Sequence, residues 1–250
     1  MGAYPSRICQ SCGSFLKGLK AFSGSSLTST DPPHLPYSEL PSSDFYKSAQ
    51  DVYDVGKALT TEQKTIANFW ADVGGVGVNY PGPGHLVAII TDVLQEKDAK
   101  LGQAAEIYAK TGIAHKDAFY RIWKTKYLHN LIRPVTYIKK FIDPGWLPHL
   151  ITPAYPDYPS GLAGIYTPIM RVLTREFGDI PVTDKTYVWN GSAARHYASF
   201  TKLAEEAAIS RLYGGIHYRW TQNYTLEIGK KFGDEIADIN LTPSKSKSGY

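Results

Sequence analysis

Cysteine is almost missing from this chain: Cys9 and Cys12, in "ICQSC", are its only two. One CxxC pair supplies half of the four ligands a structural zinc needs, which argues against a metal site there and leaves free thiols or a small disulfide. Long apolar runs are absent too. No window reaches the roughly 18 uninterrupted apolar residues of a membrane span, so no membrane partner is expected. The opening "MGAYPSRICQSCGSFLKGLKAF" lacks the charged-then-apolar order and small-residue cleavage site of an export signal. Nor does one sign of charge dominate. Against 23 acidic residues stand 27 basic ones, a net +4, too mild and too evenly spread for a nucleic-acid or membrane surface. Any important positive charge is therefore local.

What is present is enough apolar material, 43% of 250 residues, for one substantial domain with an extension. Residues 1–42 read as an extended head and linker, because "FSGSSLTSTDPPHLPYSELPS" is rich in Ser, Thr and Pro without apolar periodicity. From Ser43 to about residue 240 the text reads as helices parted by Pro/Gly loops, and residues 241–250 as a disordered tail. Apolar side chains recur at helical spacing in "SDFYKSAQDVYDVGKAL", and Thr60 with Gln63 forms a capping box for a second helix. Further helices are expected from His85 to Glu96, Leu101 to Leu131, Ser160 to Phe177, Phe200 to Tyr213 and Tyr224 to Ile239, with Pro-rich text breaking the pattern before Ser160. No strand ladder or internal repeat stands out, so the fold class is mainly α, a helical bundle.

Three separated segments carry chemistry together: Lys126, Arg133 and Pro134 in "KYLHNLIRP", Ser160 and Gly161 in "YPSGL", and Ser210, Arg211 and His217 in "SRLYGGIH". Lys126 and Arg133 are seven apart, two helical turns, so both can project towards one point. A tetrahedral oxyanion asks for guanidinium forks, an ammonium, a hydroxyl and backbone N–H groups at a helix start. These residues supply that set, and His217 adds an imidazole that serves as a nucleophile towards phosphorus or as a metal ligand.

K-x6-RP, PSG and SR-x5-H, in that order, resemble the signature shared by vanadium-dependent haloperoxidases and type-2 phosphatidic acid phosphatases. "DAFYRIWKTKYLHNLIRPVTYI" and "AEEAAISRLYGGIHYR" are similar to bacterial haloperoxidases, and the resemblance covers roughly Phe45 to Ile239. It implies a helical bundle of the haloperoxidase and acid phosphatase type. Family members are usually longer at the N-terminus, so the chain resembles their catalytic C-terminal part behind a dissimilar head. The resemblance implies vanadate as cofactor, with phosphate or sulfate as substitutes in the same place. Lys126, Arg133, Ser160, Gly161 and Arg211 would hold its oxygens, and His217 would bind the metal. It further implies hydrogen peroxide and bromide or iodide as partners, with Trp123 and Tyr155 in the halide pocket. A secreted or periplasmic location fits the family, and a homodimer would cover one side of the bundle.

Two positions depart from the pattern. PSGH is usual, its histidine handling protons, whereas here Leu162 follows PSG. Four residues after His217, where many members have an aspartate to orient the imidazole, stands Thr221, which is expected to weaken His217 as a nucleophile more than as a ligand. Among substitutes for the missing proton carrier His85, opening a helix after "YPGPG", has the best placement and His196 the next. His34, His115, His129 and His149 have none. The expected activity is vanadate-dependent halide oxidation impaired by Leu162. The alternatives are phosphomonoester hydrolysis through a phosphohistidine at His217 and oxyanion binding without turnover.

Overall fold

The computed structural model describes residues 35–72 and 82–241. The expected head up to residue 34, with Cys9 and Cys12, lies outside the described residues, as do 73–81 of the Gly-rich loop and the tail from 242. Within them the protein is mainly α-helical.

Local chemistry explains where helices begin. Ser43 caps α1 (Asp44–Lys57) by accepting from the Tyr46 amide, and Thr60 and Gln63 close a reciprocal capping box on α2 (Thr61–Phe69). Helix α3 spans Gly82–Glu96, and α4, Leu101–His129, ends where Asn130 turns into the left-handed region at φ 48°. Next come α5 (Pro134–Phe141), α6 (Gly161–Phe177), α7 (Phe200–Tyr213) and α8 (Arg219–Ala237).

Three features differ from the expectations. Pro134 starts a helix instead of breaking one, because a proline at the first helical position gives up an N–H that has no intrahelical acceptor. Helix α8 begins at Arg219, five residues before the expected Tyr224, since its first turns bury Thr221, Gln222 and Thr225, and polar residues hide the apolar period. A two-stranded antiparallel pair, β1 (Val182–Asp184) and β2 (Arg195–Tyr197), pairs Val182 with Tyr197. Three-residue strands are too short to show alternation.

Helix α6 is the packing centre, laid against α4, α7 and α8. Glycines permit the close approach: a Cβ on Gly164 would stand 2.6 Å from Ile122 Cδ1, and one on Gly233 of α8 2.8 Å from Pro168 Cα of α6. One apolar cluster, around Trp70, Ile89, Ile122, Tyr166 and Phe200, fills the middle of the bundle; a second, around Phe45, Tyr137, Tyr158 and Tyr218, lies under α1 and α5. The end of α4 and the starts of α5, α6 and α8 meet beside the C-terminal end of α7, and the chemistry-bearing residues collect there. No helix among the described residues is long and apolar enough to cross a membrane.

Candidate functional site

Lys126, in the last turn of α4, is fully buried, and its ammonium donates to the carbonyls of Pro156 (2.8 Å) and Asp157 (2.9 Å). Burial, reinforced by Arg133, draws its pKa well below the usual lysine value, against the opposing pull of Asp157. Arg133, capping α5, is equally buried. It donates from Nε to the Tyr155 carbonyl (2.7 Å) and from Nη1 to the Ile216 carbonyl (2.6 Å). Its Nη2 is buried without a hydrogen-bond partner, and so is the Ser160 hydroxyl at the start of α6. Beside them Gly161 would carry a Cβ into open space. Arg211, near the end of α7, donates to the Trp70 carbonyl at 2.7 Å. Burial lowers its pKa and Asp72 opposes the shift.

His217 sits between these groups. Its Nε2 is 3.1 Å from Arg133 Nη1, and its Nδ1 is 2.9 Å from Asp157 Oδ1, an ion-pair distance whose alignment falls short of a hydrogen bond. Burial pushes its pKa down to about 3, with Arg133 and Lys126 assisting and Asp157 resisting. The imidazole is therefore neutral at ordinary pH. Since the guanidinium can only donate, Nε2 carries the lone pair and Nδ1 the proton.

Asp157 corrects the expectation drawn from Thr221. The carboxylate missing from position 221 arrives from another segment: Asp157 lies beside the imidazole, and Thr221 Oγ1 donates to its Oδ2 at 2.7 Å. Burial would raise the Asp157 pKa, but His217, Arg133 and Thr221 together hold it below the usual carboxylate value.

A cavity of about 220 Å³ opens on this cluster. Lys126, Gly161, Arg211 and His217 line one part of it; Trp123, Tyr155 and Leu162 stand in its largely apolar wall. The rings of Trp123 and Tyr155 meet edge-on at 4.7 Å, and the Tyr155 ring lies beneath Lys126 and Arg133 at 5.2 and 4.9 Å.

The matching known proteins have the same architecture. A sequence model of the VCPO second helical-bundle domain matches residues 106–243. The crystal structure of the first bacterial vanadium-dependent iodoperoxidase is 35% identical with a TM-score of 0.79, over 84% of this chain and 52% of its own. The chain belongs to the vanadium-dependent haloperoxidase family. Holo and apo crystal structures of a bacterial vanadium-dependent chloroperoxidase share the haloperoxidase fold at 20% and 18% identity, with TM-scores of 0.61 and 0.62. Each is matched over 77% of this chain, and over 46% and 48% of its own length. The chain thus spans about half the length of the solved haloperoxidases it matches. No curated protein matches it.

Other histidines of this haloperoxidase-family chain stand apart from the cluster. His85 lies behind the cavity wall, fully buried and stacked on Trp70 at 4.9 Å. Both its nitrogens are committed, Nδ1 to Asp72 (2.9 Å) and Nε2 to Asp184 (2.7 Å). Burial opposes its charge, but Asp184 and Asp72 outweigh that and raise its pKa to about 9. It is a buried imidazolium clamped by two carboxylates, and Asp72 stands between it and the cavity, bonded also by Tyr166 and Tyr187. The sequence offered no sign of this, because the clamp joins residues 13 and 99 positions away. His196 is exposed and paired with Thr183 on the strand pair. His149 is exposed and paired with Asn68, and His129 packs edge-on against Tyr158. His115, given no role from sequence, lines the cavity. The overlooked signal was spacing: it precedes Lys126 by eleven residues, three helical turns, on the same helix.

Proposed function

We propose that this chain binds vanadate at His217 and uses it to oxidise halide with hydrogen peroxide, at a rate held down by Leu162. One observation carries the reading: two buried donors without partners, Arg133 Nη2 and the Ser160 hydroxyl, belong to the candidate set, and the same Arg133 guanidinium lies with its Nη1 3.1 Å from Nε2 of a neutral imidazole. Unsatisfied buried donors are costly, and an oxyanion there would satisfy both. The donor set fits vanadate.

When bound, vanadate supplies a Lewis-acid centre that activates peroxide without itself changing oxidation state. The residues of this chain do the rest. His217 Nε2, which carries the lone pair, would be the metal's ligand, and Asp157, 2.9 Å from Nδ1, would favour the proton there and so the tautomer and ring orientation. Lys126, Arg133 and Arg211 would neutralise the oxygens from a buried site, where their charges act strongly. Ser160 and the amide of Gly161 would supply further donors to them. Leu162 can neither take nor give a proton, so the step that the family assigns to a histidine there proceeds without help. The likeness to an iodoperoxidase makes iodide the halide to try first.

The deciding assay measures iodide and bromide oxidation after vanadate loading, in the parent, Leu162→His and His217→Ala. A vanadate-dependent rate that rises in Leu162→His and vanishes in His217→Ala is expected; no turnover in either of the first two would overturn the reading. A second reading draws on Asp157: a carboxylate behind His217 makes it a better nucleophile, so phosphomonoester cleavage regains the support that Thr221 seemed to remove. Phosphate release without vanadate, blocked by vanadate, would mark it.

A further inference from the structure

Among the described residues Asp72 is the one carboxylate in the cavity wall, which it shares with Arg211. Burial apart, it exerts the strongest pull on that guanidinium, yet among the described residues no ion pair joins the two. The reason is a count. An ionised carboxylate offers about four lone-pair positions, and all of them are taken. Oδ1 accepts from His85 Nδ1 (2.9 Å) and the Tyr187 hydroxyl (2.9 Å), and Oδ2 from His85 Nδ1 (3.1 Å) and the Tyr166 hydroxyl (2.8 Å). His85 supplies two of these contacts and the opposing charge. The imidazole is itself fixed: Asp184 holds its Nε2 at 2.7 Å, the Thr186 amide holds Asp184 at 2.9 Å, and Trp70 stacks on the ring face at 4.9 Å. The charges that face the ring are Asp72, from the segment after α2, and Asp184, from β1; Tyr166 of α6 and Tyr187, between the strands, complete its surroundings. Against burial, the two carboxylates keep it protonated at neutral pH.

We infer that His85 is a positioning residue for the oxyanion site: it holds Asp72 off Arg211, so that the guanidinium keeps its charge and its remaining N–H groups for the anion. A guanidinium fork and a carboxylate pair readily through two parallel hydrogen bonds. Of the two cations in the cavity wall Asp72 acts on Arg211, whereas Lys126 feels Arg133 and Asp157. With an uncharged side chain at position 85, Asp72 therefore turns to Arg211 and competes with a bound oxyanion for the same donors. This gives a purpose to a buried imidazolium that never reaches the cavity. The role rests on the proposed oxyanion binding at Arg211 and needs neither halide nor peroxide.

The test is calorimetric titration of vanadate, and in parallel of inorganic phosphate, into the parent, His85→Gln, Asp72→Asn and the double variant His85→Gln/Asp72→Asn. Glutamine keeps a donor but carries no charge. His85→Gln should weaken oxyanion binding about 10- to 100-fold, the worth of a hydrogen bond to a charged group. In the double variant the competing carboxylate is gone, so affinity should return to within a few-fold of the parent's. Mere damage to packing would give no such reversal. Tyr187→Phe frees one lone pair of Asp72 with little change of shape, and it too should weaken binding, again reversed by Asp72→Asn. Nitrogen NMR of the parent should show both His85 ring nitrogens protonated at neutral pH. A neutral His85, undiminished binding in His85→Gln, or a double variant as weak as His85→Gln would each overturn the assignment. Should His85→Gln fail to fold, undiminished binding in Tyr187→Phe overturns it instead. A parent that takes vanadate, with His85→Gln unaffected, would sink this inference alone. One that takes phosphate but not vanadate would sink the halide reading and leave the role of His85 to be decided on phosphate, and one that takes neither would remove both.

Discussion

His217 depends on a residue that the motif does not contain. Asp157 stands on the loop before α6, beside the imidazole and held in turn by Thr221. Asp157→Asn should weaken vanadate binding about 10- to 100-fold, the usual range for loss of a group that orients a metal-ligating histidine. Dialysis against vanadate with metal analysis reads this directly; unchanged affinity would remove Asp157 from the account. Leu162→His should raise the halide-oxidation rate by about a hundred- to ten-thousand-fold, the typical worth of a positioned acid or base, while leaving vanadate affinity within a few-fold. A rise in affinity without a rise in rate would show that Leu162 limits binding instead. Lys126, Arg133, Ser160, Arg211 and His217 could be picked out as a candidate set because their order along the chain is itself a pattern. Asp157 was in plain view three residues before Ser160, yet no sequence rule ties a loop carboxylate to a histidine sixty residues later. His115 was passed over because its meaning comes from a cavity, and a cavity forms only when α4, α6 and α7 meet.

Helices were more readable than their joints. Phe200–Tyr213 and the capping box at Thr60 follow from apolar spacing and side-chain chemistry, whereas the early start of α8 is masked by Thr221, Gln222 and Thr225, which are buried beside the site and not in the apolar core. The contact of α6 with α8 makes its own prediction. A Cβ at Gly233 would come within 2.5 Å of Arg171 Cβ and 2.9 Å of the Pro168 carbonyl, and backbone cannot yield cheaply. Gly233→Ala should therefore cost about 1–3 kcal/mol of stability, as overpacking does, seen as a lower urea midpoint with an unchanged slope. The His85 clamp joins α3 to β1 and to the segment after α2. Its folded pKa, about 9, lies above the ordinary 6.5. The clamp's contribution is thus whole below about pH 6.5 and is lost as pH rises through 9, a change on the order of 3 kcal/mol. Urea midpoints at pH 6 and pH 9.5 should differ accordingly in the parent and much less in His85→Gln; equal pH dependence in both would deny the charged clamp.

The whole molecule is a bundle whose helix ends converge on one cationic, nearly dry corner, with an apolar cavity leading from it. Three buried cations beside a neutral histidine repel one another, so a bound oxyanion should stabilise the entire fold. At a hundredfold excess over its Kd, vanadate is expected to add about 2.7 kcal/mol, a rise in Tm of roughly 5–10 °C for a domain of this size. The proposed cradle's residues come from α4, α5, α6 and α7 and from the turn before α8, so chain order could suggest the set while its geometry depends on the packed bundle. The most direct measurement is calorimetric titration of vanadate into the parent and into His217→Ala. One vanadate per parent chain, lost or greatly weakened in His217→Ala, is the predicted result. A parent that takes up no vanadate, or a variant that binds it equally well, would contradict the account.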